Sequence, residues 1–172
     1  MNRVTAFLKA RKAFFVKAVL ALAVMTSGGS YLIDRFTFGA DTARNRCLAD
    51  YRTFLVDHHE HDVARDDLVA FHAQGIEPIF ENGTLIAKYV RGVPGDVVEI
   101  TQDHDVVING KVIESGLSYA YGVNLDPQDL IGRMVIPEGE FWVMGDTDHS
   151  FDSRYWGTIT HEQISGKAHG LF

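Results

Sequence analysis

Two side chains in this 172-residue chain stand out for covalent or proton-transfer chemistry, Cys47 and Lys88. Cys47 is the only cysteine, so it has no disulfide partner within its own chain. In an oxidising compartment such a thiol is either a free reactive group or an intermolecular link, and the plainer reading is a small buried hydrophobe. Lys88 lies in "TLIAKYVRG", where alternation puts Ile86, Lys88 and Val90 on one face and Leu85, Ala87 and Tyr89 on the other. Sharing a face with two β-branched apolar residues marks a lysine for burial. Burial disfavours the ammonium form and lets a neutral amine act as a general base near neutral pH. The competing reading is a lysine that guards an edge strand.

Three polar stretches accompany them. "RGVPGDVVEI" places Pro94, Gly95 and Asp96 in a tight turn directly after the lysine strand, and "GDTDHSFDSRYWG" (145–157) is a loop dense in Asp, Ser and Gly. "DHHEHD" (57–62) offers His58, His59 and His61, which invites a metal. Residues at i and i+2 share a face only while extended, and no second ligand cluster stands out, so a solvated polar loop is the better reading and no metal is expected.

The elements that must position these residues read mainly as strands. Short apolar runs bounded by Gly, Asn, Asp and Pro fall at 53–56, 68–71, 84–90, 97–100, 106–108, 112–113 and 140–144. Asn82-Gly83 and Asn109-Gly110 each sit between two runs and suit a two-residue hairpin turn. Helical turns fit only 43–47 and 161–164. The expected fold is mostly β, an antiparallel sheet domain.

The N-terminus differs in kind. Arg3, Lys9, Arg11, Lys12 and Lys17 give the first 17 residues a charge of +5, which leaves −12 on the rest of a chain whose net charge is −7. Residues 13–33 carry Lys17 as their only charge, and their length matches the roughly 20 residues of a membrane-crossing helix; Lys17 can snorkel toward the headgroups. The basic flank precedes the apolar run, so the positive-inside tendency makes 1–12 a cytoplasmic segment, 13–33 a single-pass anchor in the lipid bilayer and 34–172 a domain across the membrane. The alternative is a cleaved secretory signal with "ALA" (21–23) as its site, but apolar residues continue beyond it. An acidic domain without a basic stripe repels phosphate backbones, and no nucleic acid is expected as a partner.

The order of these pieces resembles the type I signal peptidases (leader peptidases), membrane-anchored serine–lysine proteases, and especially their short conjugative-transfer branch. The family pattern K-R-V-x-G-x-P-G-D is met by "KYVRGVPGD" at Lys88, Val90, Gly92, Pro94, Gly95 and Asp96, with Tyr89 in place of the usual arginine. The box G-D-N-x-x-x-S-x-D-S-R-x-x-G is met by Gly145, Asp146, Ser150, Asp152, Ser153, Arg154 and Gly157, with Thr147 for the asparagine. "ARDDLVAF" resembles the strand R-G-D-I-V-x-F, with Asp66 for glycine. The resemblance implies that Lys88 is the general base, that Ser150 orients it, and that Asp152 and Arg154 brace the loop.

The family's S-M-x-P nucleophile motif is missing, and at its expected separation from Lys88 stands "RCLAD", with Cys47 where the serine belongs and Asp50 in place of proline. A thiol suits this chemistry: cysteine titrates near 8.5 against about 10.4 for lysine before environmental shifts, and the thiolate is the stronger nucleophile. Asn45 stands where many relatives carry a hydroxyl donor to the oxyanion, a role shared with the Cys47 backbone N–H. Otherwise Asn45 caps a turn.

What the resemblance implies is an inner-membrane signal peptidase, its catalytic domain periplasmic, that cuts an exported precursor protein or a conjugative pilin with a Cys47–Lys88 dyad and no cofactor. The contrasting reading is a catalytically inactive assembly factor of a secretion or conjugation apparatus that keeps the peptidase fold.

Overall fold

The computed structural model describes residues 11–41 and 46–172, in two compact units divided between Phe36 and Thr37. The first holds helix α1, Lys12–Arg35, with none of its residues buried. Its 24 residues span about 36 Å at about 1.5 Å per residue, long and apolar enough to cross a bilayer.

The second unit is a β structure of two sheets. Strands β1 (Phe36–Ala40), β2 (Thr53–Asp57), β3 (Leu68–His72), β4 (Leu85–Gly92), β9 (Glu140–Met144), β10 (Ile159–Thr160) and β11 (Ile164–Gly170) form a seven-stranded sheet in the order β1-β2-β11-β3-β4-β9-β10. Strands β5 (Val97–Ile100), β6 (Asp105–Ile108), β7 (Lys111–Ser115) and β8 (Gly132–Val135) form a four-stranded sheet in the order β7-β6-β5-β8. The strand registers described are all antiparallel, as expected from the alternating sequence pattern.

The larger sheet is buried on both faces because its central strands alternate two apolar sets. Val69 and Phe71 of β3 with Ile86 and Val90 of β4 pack into a core shared with Val98, Val106 and Ile108 of the smaller sheet. Leu68, Ala70 and Ala87 face the other way, against Leu48, Phe54 and Val56.

Asn109 (φ 52°) and Gly110 (φ 80°) both take the left-handed region that a tight β6–β7 hairpin needs, as the sequence predicts. Asn82-Gly83 does not close a hairpin. Only Gly83 has positive φ, and the turn from Glu81 to Thr84 lies at the end of a long β3–β4 connection, where the Asn82 carboxamide accepts the Gly75 N–H and donates to Glu77. The helical turn expected at 161–164 forms as a 3-10 turn over His161–Gln163. The other, at 43–47, falls largely outside the described residues. β1, β8, β10 and β11 have no counterpart among the predicted strands.

Candidate active site

Lys88 lies on β4, between β3 and β9, with Val69 directly opposite it. The edge-guard reading of Lys88 is therefore wrong: four strands lie to one side of β4 in the seven-stranded sheet and two to the other, and none of the lysine's surface is exposed. Its Nζ donates to Ser150 Oγ at 2.8 Å, and Ser150 is itself fully buried. A buried ammonium or amine needs such a partner, because an unpaired polar group in an apolar interior costs several kcal/mol.

Ser150 is held by the loop that follows β9. Asp152 accepts the Gly145 N–H at 3.0 Å and caps the short helix α2 (Ser153–Trp156) by accepting the Arg154 N–H. The Arg154 side chain grips both Asp152 carboxylate oxygens at 2.8 Å and donates to the Ser150 carbonyl at 3.1 Å. Burial opposes the guanidinium charge, but Asp152 beside it outweighs that and holds Arg154 above its ordinary value. Ser153 Oγ accepts the Val143 N–H, tying the loop back onto β9. A continuous hydrogen-bonded path thus runs from Arg154 through Ser150 to the lysine amine.

The segment that carries Cys47 is strapped to the same loop by its backbone. The Asp146 N–H donates to the Cys47 carbonyl at 3.1 Å, Asp146 Oδ1 accepts the Ala49 N–H at 2.7 Å, and Thr147 Oγ1 donates to the Arg46 carbonyl at 2.6 Å. Gly145 is what permits this approach: a Cβ there would lie 2.3 Å from both the Cys47 carbonyl oxygen and Ser150 Oγ. Cys47 is half-buried and lines a cavity of about 220 Å³ with Leu48, Phe54, Phe80, Leu85 and Ala87. Its backbone N–H donates to Asp41 Oδ2 at 3.2 Å. Among the described residues the thiol makes no hydrogen bond, to Lys88 or to any other group. Asn45 lies outside the described residues.

The remaining motif residues have structural duties. Pro94-Gly95 forms the turn closed by the Asp96 N–H on the Val93 carbonyl, with Gly95 at φ 86°. The Asp96 carboxylate gathers the Val93 N–H, the Asn109 carboxamide and the Arg65 guanidinium at 2.6–2.8 Å. Asp66, standing for the resembled glycine, has φ 68°, the left-handed conformation that favours glycine, and pairs with Arg91 at 2.6 Å. Arg91 lies 4.7 Å over the Tyr89 ring, and burial followed by the Asp146 charge raises the Tyr89 phenol. His58 is half-buried and bonds Ser165 and Thr37, while His59 and His61 are exposed. The contacts of Asp41 and Asp146 with the Cys47 segment have no signal in the sequence beyond the place of Asp146 in the "GDTD" stretch that resembles the family's box.

A helix-bearing antiparallel β protein that joins an internal lysine, a serine that holds it and a nearby half-buried thiol has the makings of a lysine-dependent acyl-transfer site. The chain belongs to the signal peptidase, peptidase S26, family, whose model matches residues 11–172. It is 29% identical over 108 residues to a probable signal peptidase I-2 of Synechocystis, covering 62% of this chain and 47% of that one. It is 30% identical over 179 residues to a signal peptidase I of Pseudomonas fluorescens, covering 84% and 58% respectively. A solved signal peptidase I from Enterococcus faecalis is 26% identical, covers 64% of this chain and 97% of that one, and superposes with a TM-score of 0.38. The chain thus spans about half the length of the curated relatives it matches.

Proposed function

We propose that the protein is a membrane-anchored leader peptidase that cuts exported precursors, with Cys47 as nucleophile and Lys88 as general base. The observation that carries this reading is the fully buried Lys88 amine hydrogen-bonded to Ser150, an arrangement that costs stability and has no ion-pair partner among the described residues. The narrow apolar cavity beside Cys47 supports it, since it suits small side chains on the leader side of the cut.

In this mechanism the Cys47 sulfur attacks the scissile carbonyl as Lys88 takes the thiol proton. The tetrahedral intermediate places its oxyanion on the Cys47 N–H and the Asn45 carboxamide. Lys88 then protonates the departing amine, and the acyl thioester remains on Cys47. A water molecule, deprotonated by Lys88, attacks the thioester, and the thiolate leaves with recovery of the proton. Ser150 positions Lys88, and the Asp152–Arg154 pair holds Ser150.

By resemblance to the short conjugative-transfer branch, the substrate in this reading is a pilin precursor. Residues 1–12 are cytoplasmic, 13–33 span the inner membrane and 34–172 form the periplasmic catalytic domain; the charge asymmetry and the 24-residue apolar helix support that orientation. The test is precursor processing by the wild type, Cys47→Ala, Cys47→Ser and Lys88→Ala. Cys47→Ala and Lys88→Ala are expected to lose about 10³-fold or more in kcat. Wild-type rates in both would leave an assembly factor with a peptidase fold.

A further inference from the structure

The walls of the apolar cavity beside Cys47 are not held alike. Leu48, Phe54 and Ala87 are buried in one core and Ile86 in the other, so the packing of the larger sheet fixes them. Phe80 lines the same cavity from outside the strands, in the connection between His72 of β3 and Leu85 of β4, and is only half-buried. Its backbone N–H reaches the Ile76 carbonyl at 3.3 Å, and its ring stacks on Phe151 with centroids 6.2 Å apart and planes at 28°. Phe151 in turn packs against Tyr119, Tyr155 and Trp156, with ring centroids 4.7–5.6 Å away.

Ring packing therefore holds the Phe80 side chain in place. Shortening it enlarges the cavity and breaks no hydrogen bond, whereas the same change at Leu48 or Phe54 would open a hole in the core behind the thiol's segment. Among the described walls of the cavity, Phe80 is the large side chain that can vary without the sheet. None of the stretches that carry the family resemblance includes it.

We propose that Phe80 is a specificity-determining residue, which sets how large a side chain the cavity accepts from the residue directly before the cut. The inference rests on the peptidase reading for what enters the cavity, and it assigns the size limit to one residue.

The experiment uses the full chain in detergent with Cys47→Ala, so that peptides stay uncut, and measures by fluorescence anisotropy the Kd of two labelled peptides that span the leader junction of the exported precursor. They differ only in Ala or Leu directly before the cut. Adding Phe80→Ala is expected to lower the ratio of the Leu Kd to the Ala Kd about tenfold, the scale on which an apolar pocket discriminates by a methylene. Phe80→Trp should raise the ratio, and Phe80→Leu should place it between those of the parent and Phe80→Ala. Were Phe80 only a brace for the loop that holds Ser150, both peptides would weaken alike and the ratio would stay fixed. An unchanged ratio, a ratio that moves the same way in the Ala and Trp variants, or no binding of either peptide overturns the assignment. Cleavage by the wild type is scored separately: cutting with a ratio blind to residue 80 leaves the peptidase reading standing and removes this one, whereas a ratio that follows the size of residue 80 without cutting does the reverse.

Discussion

Asp41 Oδ2 accepts the Cys47 backbone N–H at 3.2 Å, so a carboxylate occupies the donor that the proposed mechanism offers to the oxyanion. Substrate must displace it, and its charge opposes an incoming oxyanion. Asp41→Ala is therefore expected to raise the rate of precursor cleavage a few-fold, since a hydrogen bond to a charged group is worth about 1.5–3 kcal/mol before solvent screening reduces it. A slower Asp41→Ala enzyme in single-turnover assays would instead make Asp41 a support of the nucleophile's loop.

Arg154 and Asp152 form an ion pair with almost no exposed surface. Asp152→Asn leaves a buried guanidinium without its counter-charge, which costs about 3–5 kcal/mol. The loss is measured by urea unfolding. A second change, Arg154→Met, should recover part of it, because an apolar replacement of the whole pair avoids the uncompensated charge.

Gly145→Ala is a sharper probe of the site than of the fold. Its Cβ would press on the Cys47 carbonyl and Ser150 Oγ together, and overpacking of this kind costs about 1–3 kcal/mol. Because the displaced groups are the thiol's own backbone and the lysine's partner, kcat should fall by more than the stability loss accounts for, and KM should change less.

At position 66 the backbone, not the side chain, decides. Asp66→Ala keeps a Cβ at φ 68°, which costs about 1 kcal/mol, whereas Asp66→Gly relaxes that conformation. The Arg91 pair lost in both is largely exposed on the Asp66 side and worth little. The glycine variant should melt above the alanine variant, which differential scanning calorimetry would read directly.

Acid should act through Asp96. Burial alone lifts its carboxyl, but the Val93 N–H, the Asn109 carboxamide and Arg65 outweigh it and hold it below the ordinary 3.8. A carboxyl depressed in the folded state contributes stability that is complete above its unfolded value and is lost as pH falls through the folded value. The stability gap between wild type and Asp96→Asn should stay constant from about pH 7 to 5 and close below about pH 4. A gap that widens in acid would reverse the sign.

How much of this was legible in advance depends on what carried the signal. The lysine strand was, because Ile86 and Val90 mark its face and the alternation survives in the fold. β11 was not, because a bulge between Ile164 and Gly166 breaks its alternation, so that Ile164 packs into the core shared with the smaller sheet and Ala168 into the opposite one. Gly166 adds nothing to a hydrophobic pattern either, since a Cβ there would lie 2.2 Å from the Asp57 carbonyl. β8 escaped for the opposite reason, an edge strand with no buried residue. Asn82-Gly83 had hairpin chemistry without hairpin strands beside it. At the site, Lys88, Ser150, Asp152 and Arg154 were singled out through the family resemblance and are joined by hydrogen bonds in the fold, whereas the bond from the Cys47 N–H to Asp41 is written in no local pattern of residue types.

β11 lies between β2 and β3 in the larger sheet. The strand that follows the thiol and the strand that leads into the lysine therefore meet only through residues near the far end of the described chain. Without 164–170 the sheet would lose the seam between β2 and the lysine's half, and the thiol's segment would hang on its bonds to Asp146 and Thr147.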